Sequence, residues 1–537
     1  MQNPLPEQRR YLVDIDTIAT SQRFTDCLVI GAGIAGLRAA IQASRTANVT
    51  LVCKGSLEES NTWKAQGGIA SVLDNSDNFD SHIADTVKTG CGLCDEKIVD
   101  LVVKQGSDLV KELFEWGTDF DTENNHIATT LEGGHSFPRV AHAHGDETGR
   151  IIAQSLINIV KQNPKIKIIE NIYVIDLITS DNRCLGLIGQ DERTREIIWA
   201  QNTILATGGA GKIYRETTNP EIATGDGIAI AYRAGAVLQD LEFMQFHPTT
   251  LYVAGASRAL ITEALRGEGA ILLDSNKYAF MKEYHPNAEL APRDIVSRAI
   301  LSQMLKTNST HVYLDVRHFD KEHFAKRFPL ISDLCESFDI DVTSDLIPVR
   351  PSAHYMIGGV KTDANAQTTL ENLYACGEVA STALHGANRL GSNSLLEGLV
   401  FGKIAGKNAA SEIKLKQQNI KHHTMQYSIP FSNRTRLDTA DVTNSLRALM
   451  WRNVGITRKQ TPLEEAQEII RFWQRYVMDK VFDSNDGWQC QNMLTLCLLM
   501  AHAANLRKES RGVHYRQDFP EPNDKNFNYH IEIAREK

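Results

Sequence analysis

Cysteine is scarce in this chain, with nine in 537 residues, and the number is odd. That excludes a disulfide scaffold and fits free thiols in a reducing compartment. Long apolar runs are missing as well. No stretch approaches the roughly 20 apolar residues that a membrane-spanning helix needs. Met1 to Phe24 is polar and charged, without the apolar core of a signal peptide. The expectation is a cytoplasmic protein that does not enter the membrane. A basic excess is also absent: 57 Lys plus Arg face 66 Asp plus Glu, for a net charge of −9. Nucleic-acid binders usually show the opposite balance. What is present looks globular, with 42% hydrophobic and 23% charged residues. At about 150 residues per domain, the length suggests three or four domains. Proline is sparse (15), whereas the 36 glycines cluster in GAGIAG, QGGIA, EGGHS, ATGGAG and IGGV. Such clusters often mark backbone that approaches a ligand closely.

DCLVI (26–30) reads as a short buried strand, followed at once by GAGIAG and a small-residue helical stripe through Ser44. A second strand follows at 49–53. This is the scale of a dinucleotide-binding βαβ unit. In the loop Gly31, Ala32, Gly33, Ile34, Ala35, Gly36, the first glycine permits the tight turn and the second admits a pyrophosphate. The third lets the helix pack on the strand. The phosphates would sit at the helix N-terminus, where N–H groups and the dipole favour anions. The acidic residue expected about 20 positions on is missing, because the strand ends in Cys53 and Lys54. NAD is therefore disfavoured, and Lys54 is expected at an adenine-ribose or phosphate edge.

Further strands are expected at 166–169, 171–177, 184–189, 203–205, 359–361 and 373–376, and helices at 95–117 and 148–162. The chain leaves the dinucleotide domain near 240 and returns near 353. The expected organisation is therefore 25–240 and 353–411 as one split domain, 241–352 as an inserted lid, 412–435 as a polar linker, and 436–537 as a helical domain. Thr461, Pro462 and Glu464 read as a capping box that opens one of the last helices.

SNTWKAQGGIA (60–70), ATGGAG (206–211), TGDGIAIAYRAGA (224–236), NLYACGE (372–378) and GANRLGSNSLLEGLVFG (386–402) occur in that order. Together they resemble the FAD-binding segments of the succinate dehydrogenase and fumarate reductase flavoprotein family, from about 25 to 520. The resemblance implies an α/β protein: a Rossmann-like FAD-binding domain with an inserted α+β capping domain and a C-terminal helical bundle. It implies that Asn61, Thr62, Ala65, Gln66, Gly67 and Gly68 lie along FAD, together with Gly208, Asp226 and Glu378. Ser394 to Glu397 matches a capping box. A helix starting there, at Ser394 and Leu395, would aim its N–H groups at the flavin and stabilise the reduced, anionic form. Membrane-bound relatives attach FAD covalently to a His at the position of Asn61. An amide cannot make that bond, so the FAD is expected to be non-covalent.

A dicarboxylate needs cationic or donor groups at both ends, and Arg can grip each carboxylate through two parallel hydrogen bonds. The resemblance implies that His247, Thr262, His354 and Arg389 bind the substrate carboxylates. Arg293 would shuttle a proton, with Glu263 supporting that network. Arginine normally stays protonated, so the alternative, that Arg293 only stabilises charge, stays open. Glu132, in EGGHS, stands where succinate and fumarate enzymes of the family carry an apolar aromatic residue. A carboxylate there would complement an ammonium, and L-aspartate is succinate plus that ammonium. The segment resembles the signature of the family's L-aspartate-oxidising branch, which begins de novo NAD synthesis. This implies iminoaspartate as product, fumarate or dioxygen as acceptor, and quinolinate synthase as functional partner. The alternatives are a soluble fumarate reductase and a respiratory-complex flavoprotein subunit. Cys91 and Cys94 have C-x-x-C spacing, but no second pair stands at ligand spacing, so no metal is expected.

Overall fold

The strand Ser21–Ile30 lies in the middle of a seven-stranded sheet. Its last four residues are all buried, as expected for a parallel strand covered on both faces. In this computed structural model residues 9–535 are described, apart from 75, 193, 256–257, 417–422 and 431–436. Val49–Val52 and Ile166–Ile169 extend the sheet in parallel on one side. Arg195–Leu205 pairs in parallel on the other side. The far end of Arg195–Leu205 also takes the returning strand Leu373–Ala375 in parallel. An antiparallel meander, Tyr173–Ser180 and Arg183–Gln190, completes the sheet.

The helix Ile34–Ala43 follows the first strand and packs along the long helix Asn393–Lys416. The contact is close because Gly398, Gly402 and Gly406 face it. A Cβ on Gly402 would lie 2.6 Å from the Ala35 carbonyl oxygen. Residues 30 and 395, remote in sequence, are thereby brought to one end of the sheet.

Met244–Leu251, Ile347–Met356, Val312–Asp315 and Ile271–Leu273 form a second, antiparallel four-stranded sheet. It has its own apolar core, including Leu251, Leu265, Phe280, Ile300, Leu314 and Ile347. The helix Arg293–Lys306 packs on this sheet. Helices Thr439–Asn453, Gln460–Val477 and Asn485–Leu506 pack on one another and share a core with the first sheet.

Three local expectations change. The first strand begins at Ser21, ahead of residue 25. The helix in the return segment runs to Lys416, into the expected linker, where Gln426–Tyr427 pairs with Ile15–Asp16; the rest of 412–435 lies largely outside the described residues. The box at Thr461 is not formed. That helix starts at Gln460, whose N–H is taken by Asp518 Oδ2 at 2.9 Å. Among the described residues no helix is long and apolar enough to cross a membrane.

Candidate active site

A cavity of about 1000 Å³ opens at the carboxyl end of the central strand, the usual ligand position in an open α/β sheet. Gly31 makes the turn at φ +111°, and a Cβ there would stand 2.1 Å from the Ala206 carbonyl oxygen. Only glycine tolerates both conditions. Gly31, Ala32, Gly33, Ile34 and Ala35 line the cavity, as do Lys54, Asn61, Thr62, Ala65, Gln66, Gly208, Asp226, Glu378, Ser394 and Leu395. Gly36, Gly67 and Gly68 are not part of that lining. Gly36 packs on the Gly31 carbonyl and Gly68 on that of Ala141, so the work of these two is backbone packing.

Lys54 does not present a free ammonium to a phosphate. Its Nζ is held by Asp226 Oδ2 at 2.9 Å and Gln489 Oε1 at 2.7 Å. Asp226 is further bonded by Tyr173 and Asn492. Asn61 Nδ2 donates to Glu378 Oε2 at 2.9 Å, and the Met356 N–H donates to Oε1. Burial pushes the Glu378 carboxyl up to about 7. A buried acceptor of this kind beside a glycine cradle suits the sugar hydroxyls and diphosphate of a dinucleotide. The box at Ser394 is not formed. The helix begins one residue earlier, at Asn393. Ser394 Oγ accepts from Arg389 Nη1 at 2.9 Å, and Glu397 turns to Tyr355, Thr382 and His385. The helix N-terminus nevertheless faces the cavity through Ser394 and Leu395.

Beyond His354 the second sheet and the return segment bring the remaining candidates together. The His247 and His354 rings stand edge to face, 5.1 Å apart. Burial, then nearby guanidinium groups (Arg293 for His247, Arg389 for His354), hold both imidazoles well below their usual range. Both are therefore neutral at pH 7. His354 Nδ1 meets Thr218 Oγ1 at 2.9 Å. Thr262 caps the short helix Glu263–Gly267 by accepting from the Ala264 N–H.

Arg293 is the first residue of its helix, where the dipole disfavours a cation. Glu263 offsets this, with Arg293 Nε to Oε2 at 2.6 Å. Arg266 holds the other Glu263 oxygen at 3.1 Å. Burial opposes ionisation of Glu263, but Arg293 and Arg266 together outweigh it and keep the carboxyl below its usual range.

Glu132 is 3% exposed. Its Oε2 accepts from Ser392 Oγ at 2.8 Å, while Oε1 is buried with no hydrogen-bond partner. Burial, then Glu263, pushes its pKa up. Gly391 sits where three charged groups converge. A Cβ there would lie 3.2 Å from Arg293 Nη2, 3.5 Å from Glu263 Oε2 and 3.6 Å from Glu132 Oε2. Arg293, Glu263 and Glu132 therefore border one small volume.

The chain matches the family described as "FAD binding domain" over residues 26–395 and "Fumarate reductase flavoprotein C-term" over 443–537. L-aspartate oxidase of Yersinia pestis is 39% identical over 529 residues, covering 94% of this chain and 97% of that protein. This chain belongs to the L-aspartate oxidase family of FAD-binding flavoproteins. The family extends to plants: the chloroplastic L-aspartate oxidase of Arabidopsis thaliana is 38% identical, covering 94% of this chain and 82% of that protein. A solved structure of E. coli quinol fumarate reductase superposes with a TM-score of 0.88 at 32% identity, covering 96% of this chain and 94% of that one.

As a member of the L-aspartate oxidase family, the chain carries a domain for FAD. Asn61, engaged as a donor to Glu378, offers no group for covalent attachment, so the FAD is held non-covalently. Sequence reasoning overlooked Gln245, Arg266, Tyr355 and Ser392. Gln245 Oε1 accepts from both Arg293 Nη1 (3.3 Å) and Arg389 Nε (3.1 Å). It lies two residues from His247 on one strand, across an irregularity in the pairing at Gln245 and Phe246. Arg266 follows Glu263 at i+3, which pairs residues on a helix. Ser392 and Tyr355 carry no comparable signal.

Other buried charged residues belong to packing. Arg139 is fully buried between Asp77 (2.8 Å) and Asp85 (2.5 Å). His514 is clasped by Arg458, and Arg511 by Glu509. All nine cysteines are free, and burial pushes the Cys91 and Cys94 thiols up to about 11 and about 12, far from thiolate chemistry. Among the described residues no group of three or more His, Cys, Asp or Glu could hold a metal ion.

Proposed function

We propose that this chain oxidises L-aspartate to iminoaspartate, the first step of de novo NAD synthesis. The observation that carries the substrate choice is the buried Oε1 of Glu132, which has no hydrogen bond and faces only the His142 ring at 4.0 Å, an imidazole that burial keeps neutral. A buried charged oxygen left unpaired costs the fold about 1–3 kcal/mol or more. An ammonium against it offsets that cost, whereas the methylene of succinate does not.

In this reading Arg389 and the N–H groups of His354 and His247 take the carboxylates, with Thr262 supplying a hydroxyl. Two neutral imidazoles suit that task, because each can donate without adding another cation to a crowded site. Bound FAD supplies the hydride acceptor. The Cα hydrogen leaves as hydride, and one proton passes from the ammonium to the Arg293–Glu263 pair, giving C=NH2⁺. Glu132 fixes the nitrogen so that Cα meets the cavity end lined by Ser394 and Leu395. When fumarate is the acceptor, the clamp holds it in the same way and Arg293 delivers a proton to carbon. Glu263 and Arg266 form the line along which Arg293 recovers that proton. Dioxygen is the other acceptor in this reading. The unstable imine passes to quinolinate synthase as functional partner, and the free thiols suit the cytoplasm.

A second reading, a soluble fumarate reductase, is favoured by the same carboxylate clamp. Anaerobic mixing with L-aspartate and, separately, with succinate tests the choice. L-aspartate should bleach the flavin absorbance, and bleaching by succinate alone overturns the aspartate reading.

A further inference from the structure

Tyr355 is the last residue but one of the strand Ile347–Met356, beside His354, and both border the cavity. The Arg389 guanidinium carbon stands 4.5 Å from the centre of its ring. On the far side, the phenol donates to Glu397 Oε2 at 3.0 Å, and His385 Nε2 meets that same oxygen at 3.0 Å. Thr382 donates to the other oxygen, Oε1, at 2.6 Å. Arg389, Tyr355, Glu397, His385 and Thr382 are all buried. Arg389 itself bonds only to neutral acceptors, Gln245 Oε1 and Ser394 Oγ, and no carboxylate among the described residues pairs with it.

A buried guanidinium needs negative potential nearby. A carboxylate in direct contact would supply it, but would occupy the donors that a substrate carboxylate must take. Glu378 and Glu263 lend Arg389 negative potential without bonding it, and Glu397 adds a further anion one aromatic ring away. A cation over a tyrosine face is attracted by the ring quadrupole. A phenol that donates to a carboxylate shifts electron density back into its ring, because hydrogen-bonded groups polarise one another. We propose that Tyr355 is a positioning residue for substrate binding, its ring relaying the charge of Glu397 to Arg389 while leaving Nη2 of the guanidinium for a carboxylate. The proposal rests on the reading of Arg389 as a carboxylate clamp. The electrostatics agree with it. Burial opposes ionisation of Glu397, yet His385, Thr382 and Tyr355 outweigh it and hold the carboxyl below its usual range. Burial, then Glu397, keeps the phenol protonated, with its pKa pushed well up.

The test uses holoenzyme and steady-state kinetics with L-aspartate and with fumarate. Tyr355→Leu should raise KM about tenfold for both, the scale of a desolvated cation–π contact, with kcat changed less than about threefold and FAD content intact. Tyr355→Phe keeps the ring but loses the relay, and should raise KM only about threefold. Glu397→Gln should do the same. The Tyr355→Phe/Glu397→Gln double variant should be no worse than either single, because both cut one relay. Fully additive effects, or an unchanged KM in Tyr355→Leu, overturn the proposal. If Tyr355→Leu does not fold, the Phe/Gln cycle decides alone. Arg389→Leu separates the two readings. A raised KM there with a normal KM in Tyr355→Leu overturns only the relay; an unchanged KM in Arg389→Leu overturns the clamp and the relay together.

Discussion

Ser392 donates its hydroxyl to Glu132 at 2.8 Å from a backbone in the left-handed region, at φ +62°. A non-glycine residue rarely holds that conformation, and strain of this kind concentrates at functional sites. The bond fixes one oxygen of Glu132 and leaves the other to a ligand. A hydrogen bond to a buried charge contributes about 1.5–3 kcal/mol. Ser392→Ala should therefore raise KM for L-aspartate roughly ten- to hundredfold. The KM for fumarate, which has no ammonium, should move much less. Equal shifts for the two substrates would mean that the bond serves the fold and not the ammonium.

Glu132→Gln keeps the shape of the side chain and removes its charge. L-aspartate oxidation should fall by about two orders of magnitude, the scale of truncating a charge-assisted contact. Fumarate reduction should hold within a few-fold. The measurement is kcat/KM for both half-reactions on one preparation. Parallel losses reject the ammonium assignment.

Arg293→Leu should retain FAD and still bind dicarboxylates, because Arg389 and the two histidines remain. Turnover with fumarate should drop about 10²–10⁴-fold, the usual contribution of a positioned proton donor. Glu263→Gln should give an intermediate loss, since it breaks the line to Arg266 without removing the guanidinium. Unimpaired turnover in Arg293→Leu removes this residue from the chemistry.

Glu378 should link FAD affinity to pH. Its folded carboxyl is raised from 4.5 to about 7. Its stabilising effect is therefore fully present below the unfolded value and lost as pH rises through about 7, a change of roughly 3 kcal/mol. Hydroxyl donors of bound FAD favour the ionised form. FAD should then bind more tightly as pH rises from about 5 to 8, releasing part of a proton near pH 7. Calorimetry in buffers of different ionisation enthalpy reads that proton. Glu378→Gln should flatten the pH dependence, and an unchanged slope would exclude Glu378 as its source.

Acid precipitation of the holoenzyme should leave a colourless pellet and a yellow supernatant, because Asn61 cannot bond the flavin. Colour that stays in the pellet would contradict non-covalent binding.

Much of the cofactor site was legible in the sequence because it is local. The turn at Gly31 needs a strand before it, a helix after it and glycine at the tight point, and all three are contiguous. The two helix starts read from capping boxes, at Ser394 and Thr461, were each misplaced. A box is a pattern of four residues, and in both places other partners took the groups it required. Arg389 took Ser394 and the Tyr355–His385–Thr382 cluster took Glu397, while the Gln460 amide took the Glu464 carboxylate and Asp518 held the N–H of Gln460, one residue ahead of the box. Lys54 likewise found a carboxylate from residue 226 and an amide from residue 489, where its own neighbourhood suggested a phosphate.

By itself the sequence determined the class of fold, the cofactor and the identity of the charged residues, since periodicity, glycine spacing and motif order are properties of a line. It did not determine which charges pair. Glu132, Glu263 and Arg293 are remote from one another in sequence, and they converge on Gly391 only in the folded chain. In the low dielectric of that closed volume each partner choice is worth far more than in water. Tertiary structure, by choosing those partners, left one oxygen of Glu132 without a hydrogen bond and gave Arg389 only neutral acceptors.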